Sequence, residues 1–183
     1  EADPHEVTNL ANDPEYTKVL ADLRSRMQKK LREVNDLSFY PESFMVQNAL
    51  QDGVTYGTSS HKEITRLVDI ADLALLPFAE AHKPLAAALK AKPPMELYWA
   101  CTTASVIGEK ARPLVPLVKK LLTHENLMVR MRAAEFLGSI KAADPMPTLL
   151  SVLNTARTEQ ELMLTFNAVV YLRDYKGYHF DRD

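Results

Sequence analysis

The single cysteine is the first residue to weigh as a reactive group. Cys101 lies among Trp99, Ala100, Ala104 and Val106. A cysteine nucleophile requires a nearby base and an electropositive setting, and this apolar neighbourhood indicates a helix interior instead. We therefore expect a buried, unreactive thiol.

Histidine ligands for a metal ion are not arranged as a metal site requires. Zinc sites draw on ligands at set spacings, such as two histidines four residues apart on a helix. The five histidines are widely scattered, and no glycine-rich phosphate loop is present. We expect no catalytic, cofactor-binding or metal-ligating residue in this chain. The histidines are His5, His61, His82, His124 and His179.

Charge and hydropathy narrow the range of partners. A net charge of -2 provides no general attraction for a phosphate backbone, so nucleic acid is not an expected partner. The densest basic run lies within residues 24–32, but Asp22 precedes Arg26 by four residues, which predicts a solvated helix face rather than an anion site. No apolar run reaches the roughly 18 residues of a membrane span.

Aromatic residues after Pro93-Pro94 form the candidate partner contact. Tyr98 and Trp99, with Met95 nearby, could anchor a protein partner in a groove. Packing between adjacent helices explains the same residues equally well, and both interpretations remain open. Arg130 is the third candidate contact, because it stands at the opening of a predicted helix.

Composition favours helices as the elements that position these residues. The chain has five glycines against seven methionines, and glycine-rich turns at short intervals would be needed for many strands. Asp13 can cap a first helix that begins at Pro14 and must bury one apolar side. Residues 35–60 break the pattern, with a short helix near residues 42–50, and a Ser60/Glu63 capping box predicts a helix over 61–76.

From Lys83 onward the chain repeats a two-helix unit. The units run from Pro84 to Gly108, from Pro113 to Gly138 and from Pro145 to Leu172, each with a proline-started helix and a second, inner helix. Aligned positions are separated by steps of 30 and 34 residues, a period typical of stacked helix pairs. We expect inner helices at about 97–108, 127–140 and 159–174, with a Thr158/Glu161 capping box and a frayed tail over 176–183.

The middle unit, RPLVPLVKKLLTHENLMVRMRAAEFLGSI, resembles a HEAT-type repeat of the shorter kind. Val129-Arg130 opens its inner helix, and Ala133-Ala134 stands where helices pack closely. A tetratricopeptide array has a similar period, but its Trp-x-x-Leu-Gly signature is absent. The predicted fold is an all-α, HEAT-like superhelix, a short helical-repeat solenoid preceded by an amphipathic helix and a connector.

The first 42 residues resemble the C-terminal region of a sulfatase. The phrase DPHEVTNLANDPEY matches a family pattern that follows the catalytic residues at Asp3, Pro4, Glu6, Asn9, Leu10, Ala11, Pro14, Glu15 and Tyr16. The resemblance implies a chain that begins where a catalytic domain would end. The family's Cys/Ser-x-Pro-x-Arg nucleophile motif is missing around Cys101, so no residue inherits a catalytic role. Calcium would be carried by the parent sulfatase outside this chain, and a periplasmic or secreted location is expected if the resemblance holds.

These patterns lead to two functional hypotheses. In the first, the chain is a non-catalytic C-terminal module of a sulfatase-like hydrolase that acts in docking. In the second, it is an independent adaptor that binds a protein partner. An adaptor should present a polar-rimmed apolar patch on its inner face and pack helix 14–35 on its own solenoid, whereas a docking module should expose an apolar surface where the enzyme was. We expect a sulfatase-like C-terminal segment with its terminal helix over residues 1–42, a connector over 43–60, HEAT-like repeats over 61–175 and a tail over 176–183. The oligomeric state and the identity of the partner are left open.

Overall fold

A computed structural model describes residues 3–5 and 7–179, and all regular structure in this part of the chain is helical. Five short 3-10 helices accompany the α-helices, at Pro14–Tyr16, Leu37–Phe39, Leu73–Leu75, Gly108–Leu114 and Lys120–Thr123. The α-helices are α1 Thr17–Val34, α2 Glu42–Asn48, α3 Gly53–Ser59, α4 His61–Asp72, α5 Phe78–Ala88, α6 Pro94–Ile107, α7 Val115–Lys119, α8 Leu127–Ser139, α9 Met146–Thr155 and α10 Glu159–Lys176.

Every second helix from α4 onward belongs to one continuous row. Neighbouring members of the row α4, α6, α8 and α10 pack against each other. Each of the outer helices α5, α7 and α9 packs against the row helix that follows it in the chain. The main apolar core extends from Ile70 of α4 to Leu172 of α10 and includes Phe136, while a second, smaller cluster lies around Ile64 of α4. The prediction of an all-α helical-repeat solenoid is confirmed, because no single hairpin encloses this core alone.

The last hairpin follows the sequence pattern closely. The Thr158 hydroxyl accepts a hydrogen bond from the Glu161 N–H, and the Glu161 carboxylate accepts one from the Thr158 N–H, which completes the predicted capping box. Gly177 ends α10 in a left-handed conformation with φ 71°. The Tyr178 hydroxyl then donates to the Gly138 carbonyl at 3.1 Å, so the start of the tail is attached rather than frayed. Residues 180–183 lie outside the described part of the chain.

The predicted capping box at Ser60 is wrong. The Ser60 side chain makes no capping hydrogen bond, and its backbone N–H bonds to the Tyr56 carbonyl at 2.9 Å because α3 runs directly into α4. The carboxylate of Glu63, which would have completed the box, accepts from the Tyr40 hydroxyl at 2.7 Å instead. A tertiary contact has replaced the local one. Helix α4 itself ends at Asp72, before a 3-10 turn.

The first two outer helices also depart from the prediction. Pro84 lies inside α5, which begins six residues earlier at Phe78, although an interior proline costs a backbone hydrogen bond. Burial of Ala81, Leu85 and Ala88 at helical spacing against the row offsets that cost. The outer element of the middle unit is broken into a 3-10 helix that contains Pro113, the short α7 and a second 3-10 turn.

The predicted connector is an integral part of the fold. Residues 42–48 form the expected short helix α2, which contacts α10, and the segment Leu37–Asn48 lies near the N-terminal ends of the row helices. The Trp99 indole N–H donates to the Phe39 carbonyl at 2.6 Å and ties this segment to α6. Helix α3 was not predicted. A Cβ on its buried Gly57 would lie 3.2 Å from the Asn35 carbonyl oxygen, so glycine permits the close approach of two backbone segments.

Candidate docking surface

Helix α1 is anchored on α4 through its C-terminal half. None of its 18 residues is buried. Arg32 forms an ion pair with Asp69 of α4 at 2.6 Å, and Leu31 packs against the apolar cluster around Ile64. Most of the first half of α1 is exposed, and Leu20 is half-buried.

An apolar stripe on α1 is open to solvent. Leu23 is 56% exposed and Met27 is 60% exposed. Steps of three, four and seven residues place the members on one side of the helix, about a third of a turn from the side that faces α4. The expectation that this helix buries its apolar side is wrong for the described residues. The members of the apolar stripe are Tyr16, Val19, Leu23, Met27 and Val34.

The apolar stripe continues into a shallow groove at the C-terminal end of α1. Val34 lines this groove together with Leu37, Val54 and Gly57, and the groove has a volume of about 440 Å³. Val54 is 82% exposed. The sequence does not indicate this extension, because a single valine in a glycine-containing segment has no periodic pattern. An apolar path thus runs from Tyr16 to α3.

Basic side chains are numerous on α1 and flank the apolar stripe. The helix carries six lysine and arginine side chains and two acidic ones. Arg26 pairs with Asp22 at 2.8 Å and Lys29 with Glu33 at 3.8 Å, both four residues apart, as the sequence predicts for an exposed face. Exposed pairs of this kind are worth only about 0.3–0.5 kcal/mol each, so they support the helix without determining where it packs.

The three residues predicted as partner contacts lie apart on two helices. Tyr98 on α6 is only 6% exposed, and its hydroxyl accepts from the Arg132 guanidinium at 2.7 Å. Trp99 is half-buried and bonded to Phe39. Both side chains serve contacts within the chain, which agrees with the alternative of packing between helices. Arg130 on α8 is half-buried and forms no ion pair with a described residue. A partner contact at these positions stays a prediction.

Arg132, which sequence analysis did not single out, is the centre of a polar network between α6 and α8. Its guanidinium lies 4.9 Å from the centre of the Tyr98 ring and 2.6 Å from the Glu135 carboxylate. Burial is the largest single influence and lowers the pKa of Arg132, but the combined effects of Glu135 and Tyr98 outweigh it, so the pKa is raised. The network therefore links the two row helices α6 and α8.

The structure places Cys101 in the core, and it does not group histidine, cysteine and carboxylate side chains of the described residues. Cys101 is fully buried, as expected, and burial raises the pKa of its thiol to about 12. Among the residues that the structure describes, no three histidine, cysteine or carboxylate side chains are grouped as ligands for a metal ion. The described helices include none with the length and apolar character needed to cross a bilayer.

A second exposed apolar stripe lies at the other end of the solenoid. Met163, Phe166 and Val170 follow each other at helical spacing on α10, and Phe166 is 53% exposed. It is shorter than the stripe on α1. Helix α10, the last helix of the row, and α1, which packs on the first helix α4, thus each present an apolar side to solvent.

Comparison with known families identifies the repeated part of the chain. Residues 82–161 match the family model of HEAT repeats, a range that starts within α5 and ends at the beginning of α10. This part of the chain is similar to HEAT repeats, which generally mediate protein–protein interaction. No curated protein and no solved structure matches the chain. The matched range begins after residue 42, so the resemblance of residues 3–42 to a sulfatase stays a prediction.

Proposed function

We propose that this chain is a non-catalytic docking module that binds a protein partner through the apolar stripe of α1. The observation that carries the proposal is the position of this helix. Its C-terminal half is held on α4 by the Arg32–Asp69 ion pair, while Leu23 and Met27 remain more than half exposed. An anchored helix with an open apolar side matches the helix-in-groove mode of recognition.

Energetic considerations support the stripe as the contact. Leu23 and Met27 lie at the centre of the stripe, and central apolar side chains dominate the binding energy of most interfaces. Because α1 is already folded and attached, binding would not require ordering of the helix. The lysine and arginine side chains that flank the stripe would lie at the rim of such an interface, where charges stay solvated.

The partner that we propose is the catalytic domain of a sulfatase-like hydrolase. Support comes from the resemblance of residues 3–42 to the end of a sulfatase, since the apolar stripe lies within the same segment. Glu6, one of the matching residues, lies outside the described part of the chain. The open apolar stripe supports docking, because a docking module is expected to expose an apolar surface where its partner binds.

An independent adaptor is the second candidate, and the α10 stripe favours it. Met163, Phe166 and Val170 lie on the last helix of the repeat row, where they would contact a partner without any role for α1. This alternative needs no sulfatase. The two candidates therefore predict that partner binding depends on different residues, those of the α1 stripe for docking and those of the α10 stripe for the adaptor.

The experiment begins with the genomic reading frame that contains this chain. A sulfatase catalytic domain in that frame would be expressed separately, and its binding to residues 1–183 measured by titration calorimetry. We expect the Leu23→Asp/Met27→Asp variant to lose roughly 100-fold in affinity, because two central apolar contacts are removed. The matched control is Phe166→Asp on α10, which should bind normally.

Other outcomes separate the candidates. A reading frame without a sulfatase domain would refute the sulfatase partner. Loss of binding in Phe166→Asp with normal binding in Leu23→Asp/Met27→Asp would refute α1 as the contact and favour the adaptor. Circular dichroism of both variants would show that neither substitution unfolds the chain, as expected at exposed positions.

A further inference from the structure

A second groove lies at an edge of the solenoid, away from α1. It forms where the turn between α5 and α6 meets the 3-10 turn that precedes α8, and it has a volume of about 440 Å³. No sequence motif pointed to it, because its residues come from separate parts of the chain. We call it the basic groove, and its lining residues are Leu89, Lys90, Ala91, Lys92, Leu97, Leu117, Lys120, Leu121 and His124.

The floor of the basic groove is apolar. Leu89, Leu97 and Leu121 are buried members of the main core, so they form a fixed surface. Leu117 is half-buried and packs against the same core. A rigid leucine floor with one partly open leucine can accept an aliphatic side chain without rearrangement of the fold.

The rim of the basic groove carries cations. Lys90, Lys92 and Lys120 are exposed, and none of them forms an ion pair with a described residue. No carboxylate is among the described residues that line the groove. In a chain with a net charge of -2, this is a local excess of positive charge.

His124 adds a hydrogen-bond donor at the rim. Its Nδ1 atom accepts from the Asn126 backbone N–H at 3.1 Å. With Nδ1 as the acceptor, Nε2 is the ring nitrogen that can donate to a ligand. The basic groove thus combines three ammonium groups and an imidazole N–H above an apolar floor.

We propose that the basic groove binds an acidic peptide segment, in which a leucine-type side chain is flanked by aspartate or glutamate. The carboxylates would pair with the rim lysines, and the aliphatic side chain would cover Leu117. Charge complementarity identifies this occupant. The leucine floor favours a peptide over a nucleic acid, whose backbone would satisfy the lysines but leave the floor uncovered. The site uses none of the α1 residues and is independent of the proposed docking contact.

The test uses three fluorescein-labelled peptides and the full chain. They are Asp-Asp-Glu-Leu-Leu-Glu-Asp-Asp, the same peptide with both leucines replaced by serine, and Asn-Asn-Gln-Leu-Leu-Gln-Asn-Asn. Fluorescence anisotropy at 50 mM and 200 mM NaCl should show binding of the first peptide at least tenfold tighter than the other two, and weaker at the higher salt concentration. The Lys90→Glu/Lys120→Glu variant should weaken it at least tenfold.

A charge-matched variant controls for net charge. Lys18→Glu/Lys30→Glu changes the same number of charges on α1, where both lysines are exposed, and should bind the first peptide normally. Equal loss in this control would overturn the proposal, because the peptide would then bind α1 or respond only to net charge. Equal binding of the serine peptide would also overturn it, as would equal competition by inorganic phosphate or by a single-stranded oligonucleotide of matched charge.

Discussion

Replacing Gly138 by alanine should destabilise the protein, although alanine is the better helix former. Gly138 lies near the end of α8, and its backbone is not among the left-handed glycines of the described chain. Within a helix of ordinary backbone geometry, glycine to alanine gains about 0.5–1 kcal/mol. On local grounds alone, the substitution would stabilise α8.

Packing reverses this expectation. A Cβ at Gly138 would lie 2.8 Å from Cγ of Pro145 and 3.0 Å from a methyl carbon of Leu172. A proline ring is rigid, so the start of α9 would have to move. Overpacking of this kind typically costs about 1–3 kcal/mol. Subtracting the helix gain leaves a net loss of unfolding free energy of about 1 kcal/mol at the middle of both ranges and at most about 2.5 kcal/mol, which corresponds to about 2–10 °C in Tm for a chain of this length.

Urea unfolding followed by circular dichroism measures this difference directly. Gly53→Ala is the matched control, because its Cβ would meet only a Leu37 methyl carbon at 3.3 Å, at the end of a flexible side chain. We expect the control to stay within about 0.5 kcal/mol of the parent protein. A Gly138→Ala variant as stable as the parent would show that α8, α9 and α10 do not approach this closely, and the stacking described above would be wrong.

Two further predictions concern the row helix α6. Burial raises the pKa of the Cys101 thiol from 9.0 to about 12, so the folded chain keeps a proton that the unfolded chain loses. This contribution is fully present below pH 9 and is lost as the pH rises toward 12. Between pH 8 and 10 the parent protein should lose about 1 kcal/mol more unfolding free energy in urea titrations than Cys101→Ala, and equal losses would contradict this burial. In Trp99→Phe, the Phe39 carbonyl loses its 2.6 Å indole donor, which should cost about 1–2 kcal/mol and speed protease cleavage within residues 37–60. Unchanged cleavage would argue against Trp99 as the residue that attaches this segment.

Local signals in the sequence predicted the helices of the row well. The inner helices were expected at about 97–108, 127–140 and 159–174, and they lie at Pro94–Ile107, Leu127–Ser139 and Glu159–Lys176. The Thr158/Glu161 box was correct because its two partners are three residues apart and face no competitor. The Ser60/Glu63 box has the same spacing and failed, because the Tyr40 hydroxyl reaches Glu63 from outside the helix.

The polar contacts of Tyr98 and Trp99, the candidate contact residues on α6, likewise depend on residues that are far away in the sequence. In the sequence, Tyr98 and Trp99 are two adjacent aromatic residues that could face either a partner or another helix. In the structure, the Tyr98 hydroxyl is hydrogen-bonded to Arg132, and the Trp99 indole N–H is hydrogen-bonded to the Phe39 carbonyl. Neither partner is near them in the chain. The basic groove was missed for a related reason, since Lys90 and Lys120 are ordinary exposed lysines until the fold places them beside one apolar floor.

The all-α class, the repeated hairpins and the burial of Cys101 follow from the sequence, because apolar periodicity and caps are properties of neighbouring residues. The apolar side of α1 follows from the same periodicity. What each apolar side faces depends on the tertiary fold: those of α6 and α8 are covered by other helices, while that of α1 is open. Periodicity specifies the direction in which apolar side chains point along a helix, but their burial depends on distant segments that the same helix does not encode.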